Sequence, residues 1–250
     1  MNNLINTSTH AGLLYAVKAS LSQDARFETI SNNLANIETP GYKADEFSFD
    51  ESLNEVISTN YTEGQNKHTG NSLDVALNSS IFFSVDTQNG TRYTKAGNFT
   101  LDAERTLVTQ NGDPVLGENG PITINGEDFT IDDKGGVWVD GTNVSTLALY
   151  DFGPLDPDAE WTFSAPGATY SDLKKEGSTY YRFDGEEDQL RKAENPMVSQ
   201  GFLEQSNVFA IGEMVKMIDT QRSYESYNKI LQAFIETDKK ATGEVARLAG

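Results

Sequence analysis

From Asn207 to Leu248, near the end of the 250-residue chain, there is no proline and there are only two glycines, Gly212 and Gly243. Ile211, Met214, Val215, Ile218, Tyr224, Tyr227, Leu231, Phe234, Ile235, Ala241, Val245 and Leu248 recur there with helical spacing, mostly three or four apart, with gaps after Ile218 and Ile235. That is the period of a helix with an apolar stripe. It predicts one helix of roughly 35–40 residues, far above the mean helix length. A helix of this length needs apolar partners along it, and that need constrains the rest of the fold.

A second helical pattern opens the chain. Leu13, Val17, Leu21, Phe27, Ile30, Leu34 and Ile37 keep the same spacing, apart from a gap near Asp24. Thr39-Pro40-Gly41 ends it, because proline disfavours the α region for the residue before it and glycine permits a turn. Three asparagines, Asn32, Asn33 and Asn36, crowd the end of this helix, although asparagine is a mediocre helix former.

Between the helices the period changes. Residues 44–71 are polar and weakly patterned: "DEFSFDESLNEVI" suits a short helix or strand, and "STNYTEGQNKHTGNS" reads as loop. Residues 73–194 then hold many short Val-, Ile-, Thr- and aromatic-rich segments, among them "IFFSV", "TRYTKAG", "VWVDG", "WTFSA" and "STYYRF". Turns such as Asn89-Gly90, Asn111-Gly112, Asn125-Gly126 and Asp140-Gly141 separate them. Close-spaced strands with hairpin chemistry predict an antiparallel β domain, sandwich-like or irregular.

The expected fold is therefore α+β. Residues 1–37 with 206–250 make a helical unit, 38–72 connect, and 73–205 form the β domain. Neither helix has an evident partner in the β domain, so the two are expected to pair as a coiled coil and to bury their outer faces against other copies.

Composition excludes several functions. With 38 acidic against 19 basic residues the net charge is −19, which repels nucleic-acid phosphates and anionic lipid heads. The absence of cysteine excludes disulfides, thiolate metal sites and a cysteine nucleophile. No apolar run approaches the roughly 18 residues of a membrane span, and the N-terminus lacks the basic n-region of a secretory signal. His10 and His68, the only histidines, belong to no visible catalytic motif. Asp132-Asp133-Lys134-Gly135-Gly136 lacks the alternating ligands of a calcium loop and reads as a solvated turn. No cofactor, metal or enzyme activity is expected.

Three stretches carry a family resemblance. Ser31-Asn32-Asn33-Leu34-Ala35-Asn36 followed by Pro40-Gly41-Tyr42-Lys43 is the first. The second is "LDVALNSSIFFSV…YTKAGNFTLD…LVTQNGDPVLG". The third runs through Gly201, Leu203, Glu204, Ser206-Asn207-Val208, Glu213-Met214 and Arg222-x-Tyr224-Glu225. Together, and in this order, they resemble the rod and hook proteins of bacterial flagella. Two departures stand out. Asn78-Ser79-Ser80-Ile81 replaces the usual Gly-x-Gly before the paired aromatics Phe82-Phe83, and Arg105 stands where a turn glycine is usual. The first is expected to tighten its turn differently and to leave assembly intact.

The resemblance implies a structural subunit, exported unfolded through the flagellar type III apparatus without a cleaved signal peptide. It then assembles with copies of itself and other rod proteins into a periplasmic helical tube of the basal body that transmits torque. The helices would form the inner wall and the β domain the outer layer, with the P/L-ring bushing as a candidate contact. Subunit-interface residues would be Leu21, Ile30, Leu34, Met214, Met217, Tyr224, Leu231 and Ile235. Arg222 and Glu225, three apart, would pair with each other or across subunits. Asn32, Asn33 and Asn36 would set register between subunits, and Pro40-Gly41 would redirect the chain outward as a hinge. A reading from a different class is a secreted binding module with a helical stalk.

Overall fold

The structure, a computed structural model, describes residues 2–52, 54–78, 80–126, 128–153 and 168–248, with side chains between Gly12 and Lys240 except Leu13 and Asp238. The "WTFSA" segment and the side chains of His10, Leu13, Ala241, Val245 and Leu248 lie outside the described residues. The chain divides into two units. One comprises Met1–Ala35, Asp45–Ser58 and Phe209–Gly250; the other comprises Asn36–Ala44 and Thr59–Val208.

The first unit holds two helices, α1 (Asn2–Ala35) and α2 (Ala210–Leu248), which pack against each other. The 39 residues of α2 agree with the length read from its spacing. The first helix stops at Ala35, before Ile37, because Thr39 turns back on Asn36: its N–H donates to Asn36 O at 3.1 Å and its hydroxyl to Asn36 Oδ1 at 3.2 Å. A hairpin of Asp45–Phe49 and Glu55–Thr59 also packs on α1. Asp50 closes its turn, accepting the N–H groups of Ser52 and Asn54 at 2.8 Å each, an Asx-type turn. The stretch that suited either a helix or a strand is therefore this hairpin, and Asn66–His68 within the expected loop is a strand.

The second unit is antiparallel β throughout its described strands. Its largest sheet has six strands in the order Leu173–Glu176, Tyr180–Phe183, Gly90–Thr94, Ile81–Thr87, Leu149–Asp151 and Arg191–Lys192. Successive side chains of a strand face opposite ways, and Ile81–Thr87 uses both sides. Ile81, Phe83 and Val85 join a large aliphatic core with Leu107, Val115, Ile122 and Val137. Phe82 joins an aromatic cluster with Tyr93, Phe152 and Tyr181. That is why two adjacent phenylalanines occur here: each fills a different core. Smaller sheets complete the unit, including Phe129–Ile131, Gly136–Val139 and Thr142–Thr146.

Turn chemistry follows the sequence at Gly90, Gly112 and Gly141, which have φ of 92°, 87° and 77°. Both departures from the family pattern are compensated locally. The Ser80 hydroxyl donates to Asp151 beside the turn that lacks the usual glycines. Arg105 adopts φ 62°, and its guanidinium donates to Ile124 O at 2.6 Å and to Gly126 O at 2.5 Å. The Asp132 loop is a closed turn. Its carboxylate accepts the Trp138 indole N–H at 2.8 Å and the Gly136 and Lys134 N–H groups at 2.8 and 3.0 Å. Those bonds, the Trp138 one foremost, hold it below the usual carboxylate range.

Candidate functional site: helical face and neck

The helical unit has inverted polarity. On α1 the buried side chains are Ala16, Ser22, Thr29, Ile30 and Asn33, while Leu14, Tyr15, Val17, Leu21 and Phe27 are exposed. On α2 Glu213 and Thr220 are buried, while Ile211, Met214, Val215, Ile218, Tyr224, Ile230 and Ile235 are exposed. Thr29 and Thr220 can lie inside because each hydroxyl donates back within its own helix, to Ala25 O at 2.9 Å and Lys216 O at 2.7 Å. A groove of about 440 Å³ opens beside Gln23, Asp24 and Phe27 of α1 and Thr220, Gln221 and Tyr224 of α2.

The expected interface residues therefore divide. Leu21, Asn32, Met214, Arg222, Tyr224, Glu225 and Ile235 are exposed; Leu34, Met217 and Leu231 are half-buried. Among the described residues no ion pair joins Arg222 to Glu225. Ile30 and Asn33 are placed inside the unit, with 3% and 1% of their surface exposed, rather than on a face open to a second copy. The reason for Asn33 is its bonding. Its Oδ1 accepts the Asp45 N–H at 2.9 Å, while its Nδ2 donates to Asp45 O at 2.8 Å and Glu213 Oε2 at 3.3 Å. It pins the hairpin's first residue to the helix.

In the second unit a neck gathers three segments: 41–44, 60–64 and 204–207. Gly41 sits at φ 69°, and a Cβ there would lie 2.4 Å from Ala96 N. Only glycine fits that conformation and that space. Tyr42 is buried beneath the Lys175 ammonium, 3.9 Å from its ring centre, and Lys175 also donates to Lys43 O at 2.6 Å. Lys43 is 1% exposed and donates to Glu204 at 2.6 Å and Thr62 O at 2.7 Å. Glu204 also accepts the Gly64 N–H at 3.0 Å, and its second oxygen lies 3.4 Å from the buried Lys95 ammonium. Burial pushes Lys95 down to about 8, against the pull of the Glu204 charge.

Asn207 is the second hub. Its Oδ1 accepts the Ala44 N–H at 2.7 Å, and its Nδ2 donates to Asn60 O at 2.8 Å and Thr62 O at 3.0 Å. Sequence reading named Pro40 and Gly41 but missed Lys43, Lys95, Glu204 and Asn207. The signal was present: Lys43 closes the Pro-Gly-Tyr-Lys run, and Glu204 and Asn207 lie in the third motif, so two motifs read separately meet here.

Neither region has the make-up of a reaction centre. Among the described residues no cluster of His, Asp and Glu is placed to hold a metal, and no helix is long and apolar enough to cross a membrane. His68 meets Phe202 edge to face, with ring centres 4.9 Å apart. An outward apolar helical face and a densely hydrogen-bonded neck are the features of a structural protein.

The comparisons with known proteins say which. Three family models match in order: a flagella basal body rod protein model at residues 13–43, a flagellar hook protein FlgE/F/G D1 domain at 76–139, and a flagellar basal body rod FlgEFG protein C-terminal model at 199–243. The flagellar basal-body rod protein FlgF of Caulobacter vibrioides is 30% identical over 88% of this chain and 92% of its own. FlgF of Rhizobium meliloti is 28% identical over the same shares, and FlgG of Bacillus subtilis 29% over 82% and 88%. The chain belongs to the flagellar rod and hook family, as a structural rod protein and not an enzyme. Within that family it is most like FlgF.

Proposed function

We propose that this chain polymerises, with copies of itself and with other rod proteins, into the helical drive shaft that carries torque from the flagellar motor to the hook. The supporting observation is the inverted polarity of the helical unit. A lone helical pair would bury its isoleucines and methionines and show its threonine and glutamate to water, and here Ile211, Met214 and Ile218 are 67%, 55% and 51% exposed while Glu213 and Thr220 are buried. Each large apolar side chain covered on assembly contributes roughly 1.5–3 kcal/mol, so several per subunit are enough to drive polymerisation.

In this reading α1 and α2 pair as a coiled coil in the inner wall, and the β unit, of sandwich-like or irregular type, lies outside it. Leu21, Met214, Tyr224 and Ile235 pack against neighbours, joined by the half-buried Leu34, Met217 and Leu231. Arg222 and Glu225 pair across subunits. Ile30, Asn33, Asn36, Pro40 and Gly41 act from within, fixing where the chain leaves its helix, and Asn32 meets a neighbour. Export runs through the flagellar type III apparatus without a cleaved signal peptide. Assembly takes place in the periplasm, where the acidic β surface faces the P/L-ring bushing.

Two measurements test the proposal. Purified protein at rising concentration should form rods or rings visible by negative-stain imaging, and basal bodies from cells lacking the gene should end at the proximal rod. A chain that stays monomeric at every concentration, with both helices protected from hydrogen exchange, would leave the stalked binding module as the better reading.

A further inference from the structure

At the neck, the segment arriving from α1 and the segment leaving toward α2 run side by side in the same direction. The Gly41 N–H donates to Glu204 O at 2.8 Å, the Asn207 N–H to Tyr42 O at 3.4 Å, and the Ala44 N–H to Asn207 Oδ1 at 2.7 Å. Partner numbers rise along both segments, which is the parallel arrangement. The chain before Gly41 and the chain after Asn207 therefore leave from opposite ends of this ladder. Tension between them slides the two segments past each other and loads all the bonds together. In an antiparallel hairpin pulled from its open end, the bonds would instead break one after another.

The side chains that cross this ladder reinforce that axis. Glu204 joins the outgoing segment to Lys43 on the incoming one, and through Gly64 and Lys95 to the body of the unit. Asn207 joins Ala44 to Asn60 and Thr62. We propose that the neck is a shear clamp, in which Glu204 and Asn207 set the mechanical strength of the β unit along the line between its two helix connections. The clamp's use in transmitting torque rests on the rod reading; its mechanics do not.

The chain has no cysteine, so paired cysteines give unique attachment points for single-molecule pulling. Glu38→Cys with Phe209→Cys loads the clamp; Gln88→Cys with Glu194→Cys loads the β unit along a line that avoids it. Asn207→Ala should lower the unfolding force on the first axis and leave the second unchanged. Asn207→Asp, which keeps the acceptor for Ala44 and removes the donors, should give an intermediate force, and Glu204→Gln should weaken the first axis like Asn207→Ala. Equal losses on both axes would reduce these residues to ordinary stabilisers and overturn the proposal, as would no loss on either. The pulling uses purified protein and is independent of the rod reading, which the imaging of basal bodies from cells lacking the gene tests separately.

Discussion

Replacing Asn33 by alanine strands two backbone groups at once. The Asp45 N–H and C=O lose the Asn33 amide that bonds them at 2.9 and 2.8 Å, and Glu213 loses a donor at 3.3 Å while keeping Lys216 at 2.7 Å. A buried group left without a partner costs about 1–3 kcal/mol. Asp45 is half-buried, so water reaches part of the gap. The expected loss is then about 2–4 kcal/mol, a large share of a typical stability of about 5–15 kcal/mol.

Urea denaturation of the monomer followed by far-UV circular dichroism reads this loss directly, because α1 and α2 supply most of the helical signal. Asn33→Leu restores the volume but not the bonds, so it should be nearly as destabilised as Asn33→Ala. Asn33→Asp keeps the acceptor for the Asp45 N–H but sets a second carboxylate against Glu213, and its deficit should shrink as pH falls and carboxylates protonate. Exchange of the Asp45 amide with deuterium should quicken in the Ala and Leu variants and stay slow in the Asp variant. An Asn33→Leu protein within about 0.5 kcal/mol of the original, the range of an uneventful surface change, would refute the reasoning.

Three further outcomes are expected. Lys95, at about 8 in the folded chain against 10.5 unfolded, lets the unfolded state hold more protons between those values. Stability should therefore rise with pH from about 8 toward 10, with a full effect of about 3 kcal/mol; Lys95→Met should remove that slope, and an unchanged slope would count against it. Ile211→Asp and Ile218→Asp, on the exposed face of α2, should leave monomer stability within about 0.5 kcal/mol and abolish polymerisation in sedimentation assays. At Arg105, φ 62° favours glycine and the guanidinium bonds favour arginine. Arg105→Ala should consequently be less stable than Arg105→Gly by about 1 kcal/mol in thermal melts, since alanine alone keeps the strain and loses the bonds.

Much of this architecture is legible in the sequence because it is periodic. The length of α2, the strand-dense middle and the glycine turns all follow from local spacing. Which face of α2 turns inward does not, since Glu213, Met217, Thr220, Tyr227, Leu231 and Phe234 keep steps of three, four and seven residues, a helical repeat as good as that of the more apolar outward set. Hydrophobicity would choose the wrong side, because the partner for the apolar side is absent from a single chain. The hairpin at 45–58 escapes notice for a related reason: its first strand only half-buries Asp45 and Phe47, and residues 55–58 are exposed on both faces, so the alternation is weak. The neck is illegible for another. Lys43 and Glu204 stand 161 residues apart; each lies in a motif that the sequence shows, but neither motif says that it meets the other.

The asparagine-rich helix end shows how such a sequence can be read once the contacts are known. Asn32 faces out, Asn36 takes the Thr39 hydroxyl, and Asn33 grips Asp45 through both halves of its amide. Residues 36–44 belong to the β unit, where Gly41, Lys43 and Asn207 hold them, while Asn33 and Asp45 belong to the helical unit. A buried ion cluster at the far end of such a loop does little for net stability, because desolvating Lys43, Lys95 and Glu204 offsets most of what their attraction returns. Its bonds are directional, however. An apolar plug of equal volume would tolerate a slip of one residue in 41–44, whereas Lys43 reaches both Thr62 O and Glu204 in one register only. What these bonds add within the β unit is therefore a fixed register of 41–44, more than a few additional kcal/mol of stability.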